Sequence, residues 1–220
     1  MPGLRRSFDH LARSYSKLER LMFRGALERA RTAHLHRIGE PKRALLLGEG
    51  DGRFALELMR RFPNCQVVIV ERSAKMNELA RERLSDYSAR VTWMETDATQ
   101  LTFGVGYDLV TTLFFLDCFE SAIQSSLIER VAAATAVDAH WLYADFVENT
   151  RGLRGAVGKL LVWLLYRVFG ALTDIAARRL HDPVPRIEEA GFRKLETRTF
   201  ACGWVCSIAL QRALDTERGT

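Results

Sequence analysis

The sequence predicts an α/β domain built on a mostly parallel sheet with helices on both faces. Three observations lead there. The first three short apolar runs each end in a glycine or an acidic residue, helical spacing fills the stretches between runs, and two β-rich runs close the chain around a glycine-containing turn. Alternation of strand and helix at this spacing is the pattern of parallel strands joined by crossover helices. The chain has 220 residues, 48% of them apolar, which suits one such domain, leaves two cramped, and argues against disorder throughout.

From Phe8 to about Ile38 the spacing is helical, with Phe8, Leu11, Tyr15, Leu18, Leu21, Met22 and Leu27 three or four residues apart, until Gly39-Glu40-Pro41 stops it. Arg43–Leu47 is too short and too apolar for a helix and is predicted as a buried strand ending at Gly48-Glu49-Gly50-Asp51-Gly52. A helix carrying Phe54, Leu58 and Met59 or Phe62 on one face follows, and Pro63-Asn64 ends it. Gln66–Val70 is the second strand, ending at Glu71, and Ser73 is placed to cap the next helix through Leu84. Arg90–Met94, Tyr107–Leu113 and His140–Phe146 are predicted as strands three to five, with a helix over 121–136 before the fifth. Beyond it lie a long helical stretch over 152–180, a short helix over 183–190, and strands over 192–200 and 203–210. The whole chain is expected to be one domain: a helical cap over 1–40, a core over 41–148, a helical lid insertion over 149–190 and an antiparallel pair over 191–212.

Four scattered cysteines, Cys65, Cys118, Cys202 and Cys206, form no Cys-x-x-Cys pair and have no histidine at zinc spacing. The expectation is a reduced, cytoplasmic protein without a metal. Met1–Arg6 lacks the apolar run of a secretory signal, and no uninterrupted apolar run reaches the roughly 18 residues a membrane span needs. The net charge of +5 is unevenly spread. Residues 1–43 hold eleven Lys/Arg against four Asp/Glu, and residues 151–180 hold six against one, so the centre is acidic. Such asymmetry suits nucleic acid, anionic lipid, an acidic substrate, or simply solvated helix faces, and does not choose among them.

The chemistry points to the loop after the first strand. Glycines at 48, 50 and 52 let the chain turn sharply and let its backbone approach a ligand. A dinucleotide loop needs Gly-x-Gly-x-x-Gly, and here the last position is Arg53. Glu49 and Asp51 would repel a pyrophosphate but tolerate a cationic ligand. No Gly-Lys-Ser/Thr follows, so a Walker loop is absent. Glu71, 19 positions beyond Gly52 at the end of the second strand, can accept both hydroxyls of a ribose, with Arg72 beside it. Asp97-Ala98 after the third strand is placed to meet an adenine amine. Asp108 opens the fourth strand, whose far end, Leu113-Phe114-Phe115, flanks the same crevice.

These motifs, Leu45–Phe54, Val68–Glu71, Thr96–Ala98 and Tyr107–Val110 in that order, resemble the class I S-adenosylmethionine-dependent methyltransferases over roughly residues 40–146. The resemblance implies a Rossmann-like seven-stranded sheet of order 3-2-1-4-5-7-6 with strand 7 antiparallel. It implies S-adenosyl-L-methionine as cofactor and S-adenosyl-L-homocysteine as product. Gly48, Glu49, Gly50, Asp51 and Gly52 would pass the methionine part. Glu71 would hold the ribose, with Arg72 beside it in the cofactor site, Asp97 and Ala98 would meet the adenine, and Leu113 and Phe114 would line the opposite side. One departure stands out: many members carry an acid two positions before the first glycine, where this chain has Leu46, and Glu49 or Asp51 would have to compensate.

The segment Phe8-Asp9-His10-Leu11-Ala12-x-x-Tyr15 is similar to the entry helix of small-molecule methyltransferases, including those acting on quinones, so Tyr15 is a candidate for the cofactor gate. Residues 152–180 present a wide stripe of Val157, Leu160, Leu161, Leu164, Leu165, Val168 and Leu172 interrupted by Arg154, Lys159 and Arg167. Three internal cations in a membrane span would cost about 2.5–3.5 kcal/mol each. A lid over an apolar pocket, a helix on a membrane surface, or cover for the sheet is cheaper. The expected acceptor is therefore a small lipophilic or aromatic molecule, with peripheral membrane contact as an open alternative. Asp117 and His181 are candidates for a base by position alone, and His34-x-His36 is expected on a helix surface. Competing readings are an aminopropyl transferase, a nucleic-acid methyltransferase, although no Asn/Asp-Pro-Pro-aromatic motif follows strand four, and a binding module without turnover.

Overall fold

The computed structural model describes residues 25–147 and 182–213. Its strands are β1 (Arg43–Leu47), β2 (Gln66–Val70), β3 (Val91–Met94), β4 (Tyr107–Leu113), β5 (Thr135–Phe146), β6 (Phe192–Phe200) and β7 (Val205–Arg212). Its helices are α1 (Ala26–Thr32), α2 (Arg53–Arg61), α3 (Ala74–Arg83), α4 (Ser121–Ala134) and α5 (Val184–Glu189). One seven-stranded sheet has the order β3-β2-β1-β4-β5-β7-β6. The first five neighbours pair in parallel, and β7 runs antiparallel to both β5 and β6. This is the strand order, and the antiparallel direction of strand 7, that the resemblance implied.

Burial on both faces explains why β1 and β2 are continuous apolar runs. Leu45 and Leu47 point into a core with Leu127, Ile128 and Val131 of α4 and Ile187 of α5. Ala44 and Leu46 point the other way, onto Phe54, Leu58 and Met59 of α2. Each such aliphatic or aromatic side chain contributes about 1.5–3 kcal/mol when fully covered. Because β1 lies between β2 and β4, the chain order reverses there, and a crevice opens at the carboxyl ends of β1 and β4.

Polar clamps hold the loops around this sheet. At the amino end of β4, the Asp108 carboxylate accepts the N–H of Lys42 (2.8 Å) and Arg43 (2.9 Å), so this acid secures the start of β1 rather than the crevice. The Arg90 guanidinium reaches the carbonyls of Met59 (3.3 Å), Phe62 (3.1 Å) and Cys65 (3.2 Å), which the end of α2 leaves without helical partners. Arg130 does the same for Leu101 and Ala98, and Arg186 for Ser121.

The structure departs from the sequence reading in three places. The first helix, expected to run to Ile38, ends at Thr32, whose hydroxyl donates to its own helix at Glu28 (3.0 Å). Single turns then carry the chain to Gly39, and they bury His34 instead of leaving it on a helix surface. The helix expected to reach residue 136 stops at Ala134, and β5 begins at Thr135, with Asp138 left-handed (φ 65°) where the register with β4 shifts. The last strand begins at Val205, after a turn in which Ala201, Cys202 and Gly203 all have positive φ. Tyr15, His181, the cap before residue 25 and the stretch over 152–180 lie outside the described residues. Among the described residues, no helix is long and apolar enough to cross a membrane, and no group of three or more His, Cys, Asp or Glu is arranged to hold a metal.

Arg90→Ala leaves three buried carbonyls without their cationic donor. It is expected to lower stability by about 2–3 kcal/mol, read from the midpoint shift in urea denaturation.

Candidate active site

The loop between β1 and α2 is shaped by backbone demands that only glycine meets cheaply. Gly48, Gly50 and Gly52 have φ of 65°, 72° and 80°, in the left-handed region that costs other residues about 1–2 kcal/mol. Their surroundings differ. A Cβ on Gly48 would come within 2.2 Å of the Phe115 ring, and one on Gly52 within 3.0 Å of Ala80 in α3. A Cβ on Gly50 would meet nothing within 4 Å. The outer two glycines therefore serve packing, and the middle one presents bare backbone to the crevice.

Glu71 sits opposite. One carboxylate oxygen accepts the N–H of Gly50 (3.1 Å), and the other accepts the N–H of Ser73 at the entrance to α3 (2.8 Å). Burial raises the Glu71 carboxyl group above its ordinary range, and the two N–H donors pull it back part of the way. The Ser73 hydroxyl caps α3 by accepting from Met76 (3.3 Å), as the sequence predicted. Asn77, which the sequence reading passed over, donates to the carbonyls of Glu71 (2.8 Å) and Ser73 (3.2 Å). A short amide one turn into a helix after an acidic strand end is the signal that could have revealed it.

The two acids inside the loop have separate partners. Glu49 keeps part of its surface exposed, but its carboxyl group turns inward to accept the N–H of Ala55 in α2 (2.9 Å). Burial pushes that group up to about 8, against the pull of the Ala55 N–H and the Arg31 charge. Glu49 thus ties the loop to the helix after it, a loop-orienting contact in a chain with Leu46 at the earlier acidic position. For Asp51, burial acts upward, but Arg53 (3.0 Å) and Arg83 (3.0 Å) together outweigh it and hold the carboxylate below its usual range. Asp51 is therefore paired within the protein.

The remaining candidates line the rim. Asp97 accepts from the backbone and hydroxyl of Thr99 (both 2.8 Å), and its other oxygen lies 3.8 Å from Arg72. Ala98 is buried behind it. Leu113 is buried at the end of β4, and Phe114 follows with φ 60°, a rare conformation for a bulky residue. That twist lays Phe115 on Gly48 and turns Phe114 toward Phe146 (ring centroids 5.3 Å apart), with the Arg31 guanidinium 5.0 Å above the Phe114 ring. The crevice thus gathers Gly48, Glu49, Gly50, Gly52, Glu71, Arg72, Asp97, Ala98, Leu113 and Phe114 around the carboxyl ends of β1 to β4.

Comparison with known proteins agrees with this geometry. Residues 44–138 match the family model described as "Methyltransferase domain". The stretch similar to a methyltransferase domain runs from β1 into β5 and includes the glycine loop and Glu71. It is 36% identical over 110 residues to the demethylmenaquinone methyltransferase of Thermus thermophilus, a match covering 49% of this chain and 50% of that protein. The chain thus spans about half the length of the curated relative it matches. Among solved structures, the methyltransferase fold is shared with the N-methyltransferase NodS of Bradyrhizobium japonicum WM9 in complex with S-adenosyl-L-homocysteine. That likeness has a TM-score of 0.61 and 15% identity over 84% of this chain and 83% of NodS. An O-methyltransferase family protein of Burkholderia thailandensis aligns at TM-score 0.68 and 18% identity, over 96% of this chain and 60% of that one. At these identities the structural likeness concerns the fold.

Because the folded-state Glu49 binds its proton more tightly than the unfolded chain does, its contribution to stability is complete below the ordinary carboxylate range and is lost as pH rises through about 8. The wild-type melting temperature should fall between pH 5 and 9. Glu49→Gln, which cannot ionise, should fall less steeply in the same differential scanning series. Parallel curves would remove the assignment of a protonated Glu49.

Proposed function

We propose that the crevice binds S-adenosyl-L-methionine and that the chain transfers its methyl group to a small lipophilic or aromatic acceptor. The observation that carries the first half is the open Gly50 backbone facing a carboxylate on the neighbouring strand end. A side chain at residue 50 would occupy the space a ligand needs, and the Glu71 oxygens retain lone pairs toward it beyond those taken by Gly50 and Ser73. Glu71 and Arg72 would hold the ribose, Asp97 and Ala98 the adenine, and the loop from Gly48 to Gly52 the methionine part. Leu113 and Phe114 would close the other side, and Tyr15 is retained as a candidate for the gate.

The cofactor supplies a methyl carbon already activated by its sulfonium, so the protein's task is to align two reactants and exclude water. The glycine loop and Glu71 fix one reactant. The half-buried aromatics Phe114, Phe146 and Phe200, packed against Ala26, Leu27 and Ala30 of α1, form an apolar flank beside the same strand ends. This flank supports an acceptor with a flat or greasy face, as does the name of the Thermus thermophilus relative. Quinols and phenols are the acceptor classes that fit both; a base would help such an acceptor lose its proton, and Asp117, in the turn after β4, is retained as a candidate by position alone.

The activity is tested by incubating the protein with S-adenosyl-L-methionine and a panel of quinols, phenols, amines, duplex DNA and RNA, and following S-adenosyl-L-homocysteine release. Turnover confined to the quinols and phenols is expected; turnover with nucleic acid alone would sink the acceptor assignment. For the cofactor site, Glu71→Ala should weaken S-adenosyl-L-homocysteine binding by about 1–3 kcal/mol in calorimetry. Gly50→Val should abolish binding while circular dichroism shows the sheet retained. Undiminished affinity in folded Glu71→Ala would remove the ribose role.

A further inference from the structure

Residues 71–73, which join β2 to α3, are held through both a side chain and the backbone. The Glu71 carboxylate accepts the N–H of Gly50 and Ser73. The Asn77 amide, one turn into α3, donates to the carbonyls of Glu71 (2.8 Å) and Ser73 (3.2 Å). The Glu71 N–H donates to the Met94 carbonyl on β3 (3.1 Å), so every polar group of Glu71 is engaged. Its partners at Gly50, Ser73 and Met94 are backbone groups; the Asn77 amide is a side chain.

Asparagine is a poor choice for the helix itself. Asn77 is 1% exposed, and its own N–H already makes the helical bond to Ser73 (3.0 Å). Its side-chain oxygen is buried without a hydrogen-bond partner among the described residues. An unpaired buried oxygen destabilises a fold, and leucine, with the same branched shape, forms helices more readily. The stability of α3 therefore does not account for this residue. What a primary amide adds is a pair of donors on one nitrogen, and here the pair spans the end of β2 and the start of α3. One turn further on, Ala80 packs against the glycine loop, where a Cβ on Gly52 would come within 3.0 Å of it. The helix thus meets the crevice at two points, the loop through Ala80 and the acid through Asn77.

We propose that Asn77 is a positioning residue for sugar recognition: its amide fixes the strap over 71–73 so that the Glu71 carboxylate meets Gly50 and a ligand's ribose hydroxyls together. This rests on the reading of the crevice as the cofactor site with Glu71 at the ribose. Without the amide, the Glu71 carbonyl loses its donor and its peptide turns to find another. The carboxylate moves with the backbone that carries it, and a grip on two neighbouring hydroxyls tolerates little displacement. The loss therefore falls on the sugar hydroxyls and spares the adenine and methionine ends.

The test is calorimetric affinity for S-adenosyl-L-homocysteine and for its 2′,3′-dideoxy analogue, which lacks the ribose hydroxyls. It is measured in the full chain and in Asn77→Leu, Asn77→Ser, Glu71→Ala and the Asn77→Leu/Glu71→Ala double variant. Wild type should favour the hydroxylated ligand by about tenfold or more. Asn77→Leu should lose most of that preference, with affinity for the dideoxy analogue unchanged within about threefold. Added to Glu71→Ala, it should weaken binding by less than about twofold more, since no carboxylate remains to aim. Asn77→Ser, whose hydroxyl reaches the carbonyl one turn back but not that of Glu71, should behave like Asn77→Leu. It carries the comparison if the leucine variant does not fold. Equal losses for both ligands, a preference kept in either folded variant, or additive losses in the double variant overturn the proposal. A wild type that binds neither ligand removes the cofactor reading, and a preference kept in Glu71→Ala removes the ribose reading; in both cases the proposal falls with the reading beneath it.

Discussion

The arrangement of the crevice depends on one carboxylate. Glu71 stands at the end of β2 and accepts one N–H from the loop after β1 and another from the start of α3. These donors belong to segments separated in sequence, and both would otherwise lack a partner near the sheet edge. A charged acceptor satisfies them together and fixes the Gly50 backbone relative to α3. The left-handed glycines make this geometry attainable; the carboxylate makes it definite.

The same economy explains the basic composition in the described residues. Loops and helix ends leave carbonyls that no helix or sheet completes, and arginine, with a planar fork of donors, reaches several at once. Arg83 bonds the Asp51 carbonyl and carboxylate, Arg90 the end of α2, Arg130 the turn after β3, Arg186 the start of α4, and Arg212 the Ala132 carbonyl at the end of α4. Arg43, Arg81 and Arg90 also lie over aromatic rings. These arginines are engaged with the protein's own oxygens and rings, whereas the basic residues before residue 25 and over 151–180 lie outside the described residues.

Helix and strand boundaries in the core were legible because burial on two faces leaves an unmistakable run of Leu, Val and Ile. They were least legible where one residue in an unusual conformation redirects the chain. Asp138, Ala201 and Cys202 are left-handed without being glycine, and nothing in their side chains announces it. The end of α1 at Thr32 depends on how His34, Leu35 and Ile38 are buried, which periodicity alone does not reveal.

By itself the sequence determined the strand order's ingredients, the glycine loop, and the acids at the ends of β2 and β3, because local backbone needs and apolar periodicity are written residue by residue. Only the tertiary structure decided which acid does what. It turned Glu49 inward to α2, gave Asp51 to two arginines, moved Asp108 to the far end of the sheet, and set Asp145 beneath the turn that bears Phe115. Those roles follow from distances and burial between segments far apart in the chain, and a carboxylate's chemistry is set by its neighbours rather than by its own identity.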